Sequence, residues 1–75
     1  MLFAEGYDDA ILGVVEIHGV LVVAYDAHQV VRTLRTRHAM SLEDAEEFFA
    51  YNIAGSYIGE CSPVFVQRIP LHKAK

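Results

Sequence analysis

Cys61 is the only thiol in the chain, and a thiol acts as a nucleophile only with a base at hand and a lowered pKa. Its neighbour Glu60 works the other way, because an adjacent carboxylate opposes formation of the thiolate. The four histidines, at positions 18, 28, 38 and 72, lack the paired spacing that brings two imidazoles to one metal, and no second cysteine joins them. Gly55 and Gly59 follow a helical pattern instead of linking a strand to a helix start, so they form no phosphate-cradling loop. The expectation is a chain that is not an enzyme and takes no metal and no cofactor.

What remains is two charged groups suited to binding. Glu43, Asp44, Glu46 and Glu47 stand together, with Phe48 and Tyr51 directly behind them. Asp44, Phe48 and Tyr51 fall at i, i+4 and i+7 of a helix, turned away from the apolar line of Leu42, Phe49 and Ile53. Acids steer a partner and aromatic side chains hold it, so this face suits a basic groove. A plainer use competes, in which the acids pair with the arginines of the first helix and Phe48 wraps around it. The second group is His28, Arg32 and Arg35 on one flank of that first helix, with Arg37 on the other. It reads as a solvated face or, alternatively, as a nucleic-acid-binding surface. Asn52, at the edge of the buried stripe, has small residues at Ser56 and Gly59 after it. A local bond to backbone explains it, and close approach to a partner is the alternative.

The elements that must position these groups are legible. Val14-Val15-Glu16-Ile17 and Val20-Leu21-Val22-Val23-Ala24 flank His18-Gly19, the pattern of a β-hairpin with a two-residue turn. That turn sets Ile17 against Val20, Val15 against Val22 and Gly13 against Ala24 on one face, and Glu16 against Leu21 and Val14 against Val23 on the other. Both faces are largely apolar, which predicts cover on both sides, with the helices over Val15, Ile17 and Val22. The segment 1–9 reads as a loosely held entry. Asp8-Asp9 is suited to cap one helical turn, and an alternative starts the first strand at Ala10.

Asp26 is a natural N-cap for a helix reaching about His38, with Ala27, Val30, Val31, Leu34 and His38 inward. After the short link Ala39-Met40, Ser41 caps a second helix whose buried face is Leu42, Ala45, Phe49, Ile53 and Ser56. Pro63 begins a last strand, Pro63 to Ile69, and 70–75 is a basic tail. The fold class is therefore α+β: one small domain over 1–75, a β-hairpin and third strand packed on an antiparallel helix pair in the order ββααβ.

Seventy-five residues suffice for one core, with a radius of gyration of about 11 Å by the usual scaling. A core of that size is marginal, and with a single cysteine and no metal pattern the remaining aid is self-association, expected as a homodimer through the hairpin. Net charge is −4, distributed as −4 over 1–25, +2 over 26–40, −5 over 41–60 and +3 over 61–75. No basic leader precedes the first apolar residues, and the run Val20 to Ala24 is far too short to cross a bilayer. With the lone cysteine, that gives the expectation of a soluble cytoplasmic protein without a membrane partner.

Five strings carry a resemblance: Ala10-Ile11-Leu12-Gly13-Val14, Val23-Ala24-Tyr25-Asp26, Ser41-Leu42-Glu43-Asp44-Ala45, Phe49-Ala50-Tyr51-Asn52-Ile53-Ala54-Gly55 and Gly59-Glu60-Cys61-Ser62-Pro63-Val64-Phe65. Over about residues 10–66 the chain resembles small proteins encoded by bacteriophages and prophages. The resemblance carries no catalytic residue. It implies an inhibitor of host defence, with the anti-CRISPR class as the leading case, whose partner would be a CRISPR–Cas effector complex inside a bacterial host.

Overall fold

The His18-Gly19 pair sets the register of the sheet. Both residues take positive φ, 51° and 82°, as a tight hairpin turn with the strands' own twist requires. A computed structural model describes residues 1–57 and 59–68. In it β1 (Ile11–Ile17) and β2 (Val20–Asp26) pair antiparallel with Ile17 against Val20, Glu16 against Leu21, Val15 against Val22, Val14 against Val23 and Gly13 against Ala24. Each of these pairs is the one the turn predicts. Beyond Gly13 the register slips, Ile11 faces Tyr25, and Leu12 becomes the extra residue of a bulge. The strand therefore begins well before Val14, and a single 3-10 turn at Asp8–Ala10 leads into it.

β3 (Val64–Val66) runs parallel to β2, with Tyr25 opposite Phe65, so the sheet is mixed and has the order β1-β2-β3. A parallel neighbour needs a long crossover, and the two helices supply it. The strand is shorter than the expected Pro63 to Ile69. Ile69 and the basic tail 70–75 lie outside the described residues.

The covered face differs from the expected one. Val23 and Tyr25 join Ala27, Val30, Leu34, Ala45, Phe49 and Ile53 in the core, so the helices sit on the Val14/Val23 side of the ribbon and not on the side of Val15, Ile17 and Val22. Their cover stops at β2. Val14 and Leu21 stay 54% and 55% exposed although they point to the helix side. On the opposite side Val22 and Ala24 are buried, and Val22 shares a hollow with Gly59, Glu60 and Ser62 of the loop before β3. The Cα radius of gyration is 13.0 Å, larger than the scaling value.

α1 (Ala27–Arg37) starts at Asp26, whose Oδ1 accepts the His28 N–H at 3.0 Å while Oδ2 meets the Arg68 guanidinium at 3.0 Å. Asp26→Ala is expected to lower stability by about 1–2 kcal/mol, chiefly through the lost cap. The Arg68 side chain is 73% exposed, so Arg68→Ala should cost well under about 1 kcal/mol. Comparing the two variants in urea separates cap from ion pair. Ala27, Val30 and Leu34 are buried as expected, together with Thr33, and Val31 is half-buried. His38, expected inward, is exposed because it lies past the last full turn, where Ala39 at φ 53° already leads the chain away.

The entry segment is tied at three points, the first of them the Leu2 N–H, which donates to the Cys61 carbonyl at 3.1 Å. The buried Ala4 N–H donates to Tyr25 Oη at 2.7 Å, and Arg37 donates to the Gly6 carbonyl at 2.9 Å. Between them, burial raises the Tyr7 phenol above its ordinary 10.0, with Arg37 opposing the shift and Tyr57 adding to it. A raised folded pKa means that this contribution to stability is complete below pH 10 and is lost as pH rises through the folded value. Tyr7→Phe should therefore flatten the alkaline fall in melting temperature. An unchanged slope would assign that fall to other groups.

Candidate functional site

α2 (Leu42–Phe48) begins where the Ser41 hydroxyl accepts the Asp44 N–H at 3.1 Å, the cap expected from sequence, with Glu43 and Asp44 in the first turn against the positive end of the dipole. The helix then widens. Phe49–Ile53 forms a π-helical turn in which the Ala54 N–H reaches the carbonyls of both Phe49 and Ala50, and a 3-10 turn at Ala54–Ser56 closes the segment. Phe49 and Ile53 stay in the core, where Phe49 meets the Phe65 ring edge-on at 5.2 Å. Tyr51 and Asn52 fall on the outer side. π turns inside helices recur at functional sites.

The outer side of α2 and the π turn forms one open concavity lined by Met40, Asp44, Glu47, Phe48, Tyr51 and Asn52. Tyr51 is 77% exposed and Phe48 37%, so the two aromatic rings stand beside two carboxylates in reach of solvent. The structure thus gathers four of the six residues assigned to this face. Glu46 lies elsewhere, on a second concavity shared with His28, Leu42 and Arg68, and Glu43 lines neither. Met40 is the member that sequence reasoning missed. As the apolar residue just before the N-cap, it had the signature of a staple onto the first turn, and it packs against the core.

Leu42 and Ser56 are exposed, although both were expected on the buried face; Ala45, Phe49 and Ile53 carry that face alone. Leu42 instead edges a cleft between α1 and the start of α2 that also holds His28, Arg32 and Arg35. Three of the four basic candidates are therefore together. Arg37 is apart, occupied by the Gly6 carbonyl. Among the described residues the ion pair is Asp26 with Arg68, and no pair joins Arg32 or Arg35 to the acids of α2.

Cys61 is an exposed free thiol, and among the described residues no three His, Cys, Asp or Glu side chains converge as a metal-binding group. Asn52 is exposed, and its carbonyl accepts the Ser56 hydroxyl at 2.7 Å, a bond that occupies backbone and leaves the amide side chain at the concavity. No described helix is long and apolar enough to cross a membrane. Compared with known proteins, the chain matches no family model, no curated protein and no solved structure.

Proposed function

We propose that this chain is a non-enzymatic binding protein that docks the outer face of α2 onto a basic groove of a partner protein and blocks it by occupying that surface. The observation that carries the reading is the concavity where Asp44, Glu47, Phe48 and Tyr51 meet, with acids beside exposed aromatic rings and no α1 arginine paired to them among the described residues. Unpaired carboxylates keep their field available for steering, and aromatic rings already out of the core lose little when they bury against a partner. The resemblance to phage and prophage proteins points to a host defence complex. A CRISPR–Cas effector holds nucleic acid in a positively charged channel and so offers the groove this face requires. Tagged protein expressed in a CRISPR-bearing host should recover Cas subunits and restore phage plating, whereas the Phe48→Ala/Tyr51→Ala variant should do neither. Recovery of no Cas subunit, together with no change in plating, would remove the effector from the account.

A second reading rests on the cleft that gathers His28, Arg32 and Arg35. As a nucleic-acid surface it would contact at most about three phosphates, so the logarithm of its affinity should fall against that of salt with a slope of about −3 at the steepest. Binding that is absent or flat with salt would dispose of it.

A further inference from the structure

β1 carries an inference independent of the α2 reading. The strand Ile-Leu-Gly-Val-Val-Glu-Ile lies on the edge of the sheet, and among the described residues no strand pairs with its outer side. It also keeps exposed apolar side chains on both faces: Val14 is 54% exposed on the helix side, and Val15 and Ile17 are 38% and 40% exposed on the other. Exposed edges of soluble proteins are ordinarily blunted with lysine, proline or extreme shortness. This one has neither residue, only a bulge at its start and a single carboxylate, Glu16.

The turn fixes which backbone groups are free. A two-residue hairpin turn makes Ile17 and Val20 a hydrogen-bonded pair, and alternation then turns the N–H and C=O of Val15 toward β2 and those of Val14 and Glu16 outward. We propose that the occupant of this edge is a second copy of the same chain, with β1 pairing antiparallel to β1 of its partner around a two-fold axis at Val15. In that register Val14 of each copy exchanges both backbone hydrogen bonds with the other copy's Glu16, and the two Val15 side chains face each other in the closer, non-hydrogen-bonded pair. The pairing uses only the regular stretch from Gly13 to Ile17, clear of the bulge. It also sets each Glu16 across from a valine, so the sole charge of the strand never meets its own copy. The result is a six-stranded sheet with both helix layers on one side.

The self-complementary register selects a second copy over a foreign strand. The occupant must supply outward donors and acceptors at the same spacing, apolar side chains for both faces and no carboxylate opposite Glu16, and β1 itself meets all three conditions. Light scattering over the micromolar range should give twice the monomer mass of 8.4 kDa. Val15→Lys should weaken the dimer at least tenfold while the melting curve shows an intact fold. In a Cys61→Ser background, Val15→Cys treated with oxidised glutathione, which takes up the two electrons by thiol–disulfide exchange, should form an intermolecular disulfide readily, because non-hydrogen-bonded pairs bring Cα atoms within bridging distance. Val14→Cys should cross-link far more slowly, since its own copy lies diagonally across. A mass of 8.4 kDa throughout, or cross-linking as fast at position 14 as at 15, would overturn the proposal.

Discussion

Tyr25→Ala is expected to leave the chain largely unfolded at room temperature, and Tyr25→Phe to fold with a melting temperature lower by roughly 4–16 °C. Tyr25 has no exposed surface, its ring stacks on Phe65 at 5.6 Å, and its hydroxyl accepts the Ala4 N–H at 2.7 Å. Truncating a buried aromatic side chain costs about 3–5 kcal/mol. That matches the whole margin at the low end of the ~4–11 kcal/mol range for a chain of this length, the end at which a core this small falls. The phenylalanine variant keeps the ring and removes only the hydroxyl, which also donates to the Ala4 carbonyl at 3.5 Å, stranding a buried N–H at about 1–2 kcal/mol. Its effect should shrink when the first residues are also deleted, because both changes break the same tie between the entry segment and β2. Additive losses on a thermal or urea melt would show that Ala4 and Tyr25 are not coupled.

The second large effect concerns binding. Phe48→Ala and Tyr51→Ala should each weaken partner binding by about 2 kcal/mol or more, roughly thirtyfold, mainly by speeding dissociation. Stability should barely move for Tyr51, whose side chain rests mostly in solvent. Asp44→Lys together with Glu47→Lys should act on the association rate instead, slowing it at low salt, with only a small loss of stability as Asp44 leaves the first turn of α2. Glu46→Lys serves as an internal control, because Glu46 borders the concavity on the other side of the helix. An equal effect of Glu46→Lys and Glu47→Lys on association would mean that overall charge, and not this face, governs the encounter.

The parts of the fold that were legible in the sequence are those fixed by a few local residues. His18-Gly19 permits one turn and hence one register; Asp26 and Ser41 each cap the helix that follows. The covered face of the ribbon was not legible, because Val14, Val15, Val22 and Val23 offer both faces the same apolar surface. What decides is how far the helices reach, and they reach only β2. The π turn at Phe49–Ile53 left no mark in composition, and without it the spacing of Leu42, Phe49, Ile53 and Ser56 suggested one continuous buried stripe. The outer face fared better. Asp44, Phe48 and Tyr51 are brought together as their helical spacing implied, since Asp44 and Phe48 share one regular helix and Tyr51 follows within a turn of it.

The association rate of the chain with a purified CRISPR–Cas effector, measured between about 50 and 300 mM salt, tests the docking of α2 most directly, because across that range the screening length falls below the reach of the acidic cluster. The wild-type rate should drop steeply with added salt, and the Asp44→Lys/Glu47→Lys variant should start slow and stay flat or rise. A wild-type rate indifferent to salt, or a variant that follows the same curve, would contradict the placement of the binding surface on α2.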